Sequence, residues 1–106
     1  KGRLSLQRFV EVCATSPARI FGLYPRKGVI AVGADADLVI YDPQRRVTLS
    51  QANLHQRVDY CPYEGREVVG YPSVVLLRGE VIVENGQFVG RRGQGQFVRR
   101  EVSCAY

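Results

Sequence analysis

The sequence predicts an α+β fold that is mainly β, with two N-terminal helices followed by short strands that form part of a β-sandwich. Near the start, apolar residues recur at helical spacing. After Gly33, the apolar runs are short and separated by Gly, Pro and Asn turns. The chain changes class at the segment Pro25–Pro43, which we call the seam. With 106 residues, the chain is one domain at most, or part of a larger one.

Residues 1–24 predict two helices in succession. The apolar residues of the first helix include i, i+3 and i+4 spacings, and they are Leu4, Leu6, Phe9, Val10, Val12 and Cys13. Ser5 is the predicted N-cap. Thr15–Pro17 interrupts the pattern, and Ser16 followed by Pro17 is typical of the start of a second helix. Gly22 is predicted to end that helix, because glycine accepts the left-handed conformation at the C′ position.

The seam contains an unbroken apolar run of β-forming residues, Leu38–Tyr41, which follows the turn Gly33–Asp37. A continuous apolar run bounded by turn residues is typical of a strand that is covered on both faces. The dipeptide Asp42-Pro43 is predicted to end this strand, because proline has no N–H for the sheet and restricts the residue before it.

Short strands are predicted to follow the seam at close intervals. The candidates are Arg46–Leu49, Glu67–Tyr71, Val74–Leu77 and Val81–Val83. Pro72-Ser73 and Arg78-Gly79 are predicted turns between them. Asn85-Gly86 predicts a hairpin to Phe88, because a type I′ turn needs positive φ at both central residues. The residues from Gly90 onward are rich in Gly and Arg, which predicts a flexible tail or an arm that contacts another subunit.

The composition is that of an ordinary globular protein. Hydrophobic residues make up 45% of the chain, and 15 basic against 10 acidic residues give a net charge of +5. This balance admits nucleic acid or an anionic membrane as a partner without requiring either. No apolar run approaches the roughly 20 residues that span a bilayer, and the first residues do not form a signal peptide pattern. We therefore expect a soluble, cytoplasmic protein without a membrane partner.

Cysteine, histidine and serine usage predicts neither a metal site nor a nucleophile. Cys13, Cys61 and Cys104 are far apart and have no zinc-ligand spacing, so we expect reduced thiols. His55 is the one histidine, and because a lone imidazole has no ligand spacing, a surface or capping role is preferred. Serines outside any Gly-x-Ser-x-Gly context are Ser5, Ser16, Ser50, Ser73 and Ser103.

Asp35 and Asp37 form a carboxylate pair inside the seam. On a strand they would share a face, where they could bind a hard cation or act as an acid–base couple. However, Gly33–Asp37 is typical of a turn in which aspartate side chains accept backbone N–H groups and set the start of the strand. We prefer this structural interpretation.

The Gly/Arg tail suggests a rival function. Gly90–Phe97 lacks the Gly-Lys-Ser/Thr ending and the following helix of a phosphate loop. Arginines beside an aromatic ring are instead typical of segments that bind single-stranded nucleic acid. The residues concerned are Arg91, Arg92, Phe97, Arg99 and Arg100. Because only one aromatic residue is interleaved, a solvated tail or a subunit-contact arm is the preferred interpretation.

A series of motifs in one order connects the chain to a known family. The motifs are Ser16–Gly28, Ile30–Ile40, Val58–Tyr60, Tyr63–Gly65 and Leu77–Gly86. Together they resemble the C-terminal region of dihydropyrimidinases and D-hydantoinases, the cyclic-amide hydrolases of the amidohydrolase superfamily. The resemblance covers nearly the whole chain. One departure is Ser16, which stands at a helix-capping position where the family usually has Asn.

The resemblance implies a parent protein with a (β/α)8 barrel and a composite β-sandwich. Residues 1–24 would close the barrel, residues 25–90 would form half of the sandwich, and residues 91–106 would be a basic tail that is flexible or contacts another subunit. The family's two divalent metals, expected to be zinc, are held by histidines, an aspartate and a carboxylated lysine. Nothing here resembles those catalytic motifs, so we expect no catalytic, cofactor-binding or metal-binding residue in this chain, and no activity of the chain alone.

The function implied for the parent is the opening of dihydropyrimidine or hydantoin rings to N-carbamoyl amino acids by a homo-oligomer, with a homotetramer expected. An alternative is a non-enzymatic, dihydropyrimidinase-like interaction protein of the collapsin response mediator type, which shares these motifs. Phe21–Leu23 favours the hydantoinases, because the collapsin response mediator proteins tend to have Asn before Leu, where this chain has Gly22. A β domain that binds nucleic acid is the least favoured hypothesis.

Overall fold

A computed structural model describes residues 2–102 and divides the chain into two compact units. Unit 1 comprises the described residues before Leu38 and after Arg91, and unit 2 comprises Leu38–Arg91. Unit 1 contains the helices and unit 2 is an antiparallel sheet, which confirms the prediction of an α+β fold that is mainly β. The domain roles predicted for residues 1–24, 25–90 and 91–106 stay predictions. Lys1, Ser103 and Cys104 are among the residues outside the described part.

Unit 1 begins with one helical run, so the prediction of two separate helices was wrong. The run consists of α1 (Leu6–Val10), a π-helical turn (Glu11–Thr15) and α2 (Ser16–Ile20). Thr15 and Ser16 both have right-handed helical φ and ψ, so the chain does not leave the helix at the predicted interruption. The wider π turn precedes Pro17, whose ring and missing N–H a regular α-helix does not accommodate.

Both predicted ends of the helical run are confirmed. At the start, the Arg8 N–H donates to Ser5 Oγ at 3.2 Å, which makes Ser5 the N-cap. At the end, Gly22 has a φ of +70°. The Gly22 N–H donates to the Arg19 carbonyl at 3.2 Å and the Leu23 N–H to the Ala18 carbonyl at 2.7 Å, which is the Schellman pattern. No helix within residues 2–102 has the length and apolar character needed to cross a membrane.

Unit 2 is a four-stranded antiparallel sheet with the strand order β1-β2-β3-β4. The strands are β1 (Leu38–Thr48), β2 (Glu67–Leu77), β3 (Glu80–Glu84) and β4 (Gln87–Phe88). Tight turns connect the last three strands, with φ of 47° and 83° at Arg78-Gly79 and of 50° and 81° at Asn85-Gly86. Positive φ at both central residues is type I′ geometry, which confirms both predicted turns.

β1 does not end at Pro43, contrary to the prediction. Asp42 and Arg46 both pair with β2, and residues 43–45 between them form an irregularity in the register. Inside it, the Gln44 N–H donates to Asp42 Oδ1 at 2.9 Å. A bulge takes its residues out of the hydrogen-bond ladder, so the missing N–H of proline costs no sheet hydrogen bond there.

β2 also continues through Pro72, which was predicted to form a turn with Ser73. Pro72 lies opposite Tyr41 in the sheet. The pairing of β2 with β3 ends at Val74 and Glu84, so among the described strands Pro72 has a neighbour on one side only. Proline is tolerated at such a position because a free strand edge needs no N–H donor.

The described residues leave the apolar run of β1 largely uncovered, although its pattern predicts a strand that is buried on both faces. Val39 is 60% exposed, and Ile40 and Tyr41 are each 55% exposed. Among the described residues, Ala18 and Cys61 are the only buried hydrophobic residues. The reason is architectural, because unit 2 has a single sheet and no second layer of its own.

Candidate functional site

The carboxylate pair of the seam lies in the loop between the helical run and β1, within unit 1. The Lys27 N–H donates to the Leu23 carbonyl at 2.9 Å. The Asp35 N–H donates to the Arg26 carbonyl, also at 2.9 Å. The first bond forms a turn within the basic limb of the loop, and the second joins that limb to the acidic one, so that the acidic residues of one limb face the basic residues of the other.

Arg26, Lys27, Asp35 and Asp37 form a compact charged cluster. Lys27 Nζ lies 2.8 Å from Asp35 Oδ2 and also contacts Asp37 Oδ2. Arg26 Nε donates to Asp35 Oδ2 at 2.9 Å. The sequence predicts backbone N–H donors for these carboxylates, whereas the structure gives Asp35 two side-chain donors, which is a correction. Opposite charges on either side of a Gly turn are the signal that could have identified Arg26 and Lys27 as the partners.

The charged cluster shifts the pKa values of Lys27 and Asp35 away from proton transfer near neutral pH. Partial burial is the largest contribution for Lys27 and lowers its pKa, but hydrogen bonds and charge attraction from Asp35 and Asp37 together outweigh it and raise the pKa. The hydrogen bond from Lys27, followed by that from Arg26, lowers the pKa of Asp35. Both groups therefore stay charged near neutral pH, and the cluster is suited to holding the loop closed.

The seam also contacts the helical run at Gly28. Gly28 has a φ of +81°, and its carbonyl accepts a hydrogen bond from Thr15 Oγ1 at 2.7 Å. A Cβ at this position would lie 2.5 Å from Ala18 Cβ and 2.9 Å from the Ala14 carbonyl oxygen, so only glycine fits. Ala18, on the helical side of this contact, is only 6% exposed.

The remaining candidate ligands are separated. His55 lies in the loop between β1 and β2, with its ring centroid 6.5 Å from that of Phe88. Cys13 is an exposed free thiol and Cys61 a buried one. Within residues 2–102, no group of three or more His, Cys, Asp and Glu side chains could hold a metal ion.

Arg91 and the arginines that follow it belong to different units. Arg91 belongs to unit 2, where its guanidinium lies 3.1 Å from Glu80 Oε2. The chain from Arg92 belongs to unit 1, in which the Glu101 N–H donates to the Gly22 carbonyl at 2.9 Å. The described end of the tail therefore contacts its own chain.

Comparison with known proteins gives concordant matches by sequence and by structure. The profile of the Amidohydrolase family matches residues 1–83. D-hydantoinases from Ralstonia pickettii and Geobacillus stearothermophilus are 50% and 53% identical over 100 residues, which cover 94% of this chain and 22% and 21% of theirs. The solved structure of a D-hydantoinase (dihydropyrimidinase) from Thermus sp. matches with a TM-score of 0.89 at 53% identity, over 99% of this chain and 23% of that one.

The structural match extends to an enzyme named for the opposite enantiomer. The L-hydantoinase (dihydropyrimidinase) from Arthrobacter aurescens is 42% identical, with a TM-score of 0.88, over 93% of this chain and 22% of that one. The predicted resemblance to dihydropyrimidinases and hydantoinases is therefore confirmed. The chain spans less than a quarter of the length of each of these relatives.

Proposed function

Because the chain belongs to the amidohydrolase family, we propose that it is the C-terminal part of a metal-dependent cyclic-amide hydrolase. The parent protein would open dihydropyrimidine or hydantoin rings at the amide bond and release N-carbamoyl amino acids. The observation that carries this proposal is the high identity to D-hydantoinases along nearly the whole chain, with the same fold.

We place the metal ligands of this hydrolase in parts of the parent outside this chain. Opening a cyclic amide requires an activated water and a polarised carbonyl, which a divalent metal supplies. The described side chains do not fit a metal pair, because Lys27 lies between Asp35 and Asp37 and no third ligand joins them. Two zinc ions and a carboxylated lysine therefore remain expectations for the parent, and no step of the hydrolysis is assigned to a residue of this chain.

For this chain itself we propose a scaffolding role within the parent. In the helical run, Leu6 is 75% exposed and Phe9 is 53% exposed, and in β1 Val39 is 60% exposed. Large apolar side chains that are exposed on a helix or on a strand in such numbers are normally covered by another part of the protein or by a partner. The helical run would pack on a (β/α)8 barrel, the sheet would complete a β-sandwich, and the tail would help to build a homotetramer.

The proposal places the parent in the cytoplasm and assigns it no nucleic-acid or membrane partner. Free thiols at Cys13 and Cys61 support a reducing compartment.

The test measures ring opening of dihydrouracil and hydantoin by ultraviolet absorbance, with the full-length, metal-loaded gene product beside the 106-residue chain. We expect hydrolysis by the parent, none by the chain, and no stoichiometric zinc in the purified chain by elemental analysis. Activity or an equivalent of zinc in the chain would contradict the scaffolding role. If a folded, metal-loaded parent hydrolysed neither substrate, the result would contradict the hydrolase proposal and favour an interaction protein of the collapsin response mediator type.

A further inference from the structure

The described end of the tail lies against the end of the helical run, within unit 1. The Glu101 N–H donates to the Gly22 carbonyl at 2.9 Å. Arg100, Glu101 and Val102 line one depression together with Ile20 and Phe21. The contact thus combines a main-chain hydrogen bond with apolar surface from the last turn of the run.

The absence of a side chain at Gly22 allows both the end of the helical run and the contact with the tail. A Cβ on Gly22 would fall well inside van der Waals distance of the Glu101 carbonyl oxygen, and 3.3 Å from the Glu101 nitrogen. Gly65 has a similar φ, +77° against +70°, yet nothing lies within 4 Å of its Cβ position. The two positions share the same backbone requirement, but at Gly22 the missing side chain also makes room for the tail.

We propose that residues 100–102 are an intramolecular strap that closes unit 1 by docking on Gly22, and that the missing Cβ of Gly22 admits it. The strap fixes the far end of the Gly/Arg segment. One main-chain hydrogen bond and a small apolar contact are weak compared with the stability of a domain, so the strap opens locally before the rest of the unit unfolds. This inference does not depend on the proposed hydrolase activity.

The test compares Gly22→Ala with Gly65→Ala in the 106-residue chain. Both variants place alanine at positive φ, so the backbone strain is matched. The readouts are the hydrogen exchange of the Glu101 amide and the rate of tryptic cleavage after Arg99. In Gly22→Ala, loss of the docking hydrogen bond should raise the exchange rate and the cleavage rate by about tenfold. In Gly65→Ala, both rates should stay within about twofold of those of the unsubstituted chain.

A second pair of variants keeps the proposal falsifiable if Gly22→Ala disrupts the helical run. Glu101→Pro removes the donor N–H and leaves the helix sequence intact, and Gln96→Pro is its control in the same exposed segment. We expect faster cleavage after Arg99 in Glu101→Pro than in Gln96→Pro or in the unsubstituted chain. Cleavage in Glu101→Pro as slow as in Gln96→Pro would overturn the strap.

Discussion

Replacing Gly28 by alanine would test the contact between the seam and the helical run. A non-glycine residue at a φ of +81° costs about 1–2 kcal/mol. The new Cβ would lie 2.5 Å from Ala18 Cβ and 2.9 Å from the Ala14 carbonyl oxygen, so the loop would move and break the 2.7 Å hydrogen bond from Thr15. That bond contributes about 1 kcal/mol, and the apolar contact of one methyl group about 0.8 kcal/mol. We expect Gly28→Ala to lower the free energy of unfolding by about 3–4 kcal/mol.

The control for this substitution is Gly33→Ala, in the same loop. Gly33 has a φ of +89° and nothing within 4 Å of its Cβ position, so alanine there should cost only the backbone strain of about 1–2 kcal/mol. Thr15→Val isolates the hydrogen bond and should cost about 1 kcal/mol. The measurement is urea unfolding followed by helical circular dichroism. Equal losses in the two glycine variants would refute the steric argument, because the variants differ in their neighbours and not in φ.

Three further predictions follow from the charges and surfaces of the chain. Asp35, whose pKa is lowered, should stop contributing to the free energy of unfolding as the pH falls below about 4. Lys27, whose pKa is raised, should stop contributing as the pH rises above about 10. Urea unfolding of Lys27→Gln should show a weaker loss of stability at both pH extremes. Asn85→Val should cost about 1–2 kcal/mol, because a β-branched residue is strained at a φ of 50°, and β3–β4 cross-strand NMR contacts should weaken, whereas Asn85→Gly keeps them. Val39→Lys should reduce self-association of the chain, measured by sedimentation velocity. It should change the free energy of unfolding by less than about 0.5 kcal/mol, because Val39 is 60% exposed. Unchanged self-association would show that the chains do not associate through β1.

The sequence predicts correctly those features whose physical cause is contained in a few neighbouring residues. Ser5 caps a helix because its hydroxyl reaches an N–H three residues away, whatever surrounds it. Gly22 and Asn85-Gly86 occupy positive φ because other residues rarely can. The hairpins and the end of the helical run were therefore predictable without knowledge of the tertiary fold.

The three misplaced element boundaries all involve proline. Pro17 was expected to divide a helix, and Pro43 and Pro72 to end strands, because a missing N–H breaks a regular hydrogen-bond pattern. In each case the structure places the proline where that N–H is not needed: after a π-helical turn, in a bulge and at a free strand edge. Where those exceptions occur depends on register and strand neighbours, which no local pattern contains.

The partners within the charged cluster were likewise not predictable from a local pattern. Turn chemistry correctly locates Asp35 and Asp37 at the start of β1, but their side-chain partners depend on how two limbs of a loop align. Arg26 lies nine residues from Asp35, and Lys27 lies eight residues from Asp35 and ten from Asp37, separations beyond the reach of helix or turn rules. The pairing converts a candidate acid–base couple into a neutralised structural element.

The exposure of Leu38–Tyr41 is the most informative disagreement between pattern and structure. An unbroken run of β-forming apolar residues evolves where both faces of a strand are covered, and a solvated face would alternate with polar residues. In this chain Val39, Ile40 and Tyr41 are more than half exposed. The pattern is therefore typical of a strand that is covered on both faces, and the described residues do not supply that cover. Because the relatives are more than four times as long, this mismatch supports the proposal that other parts of a hydantoinase-like parent cover β1.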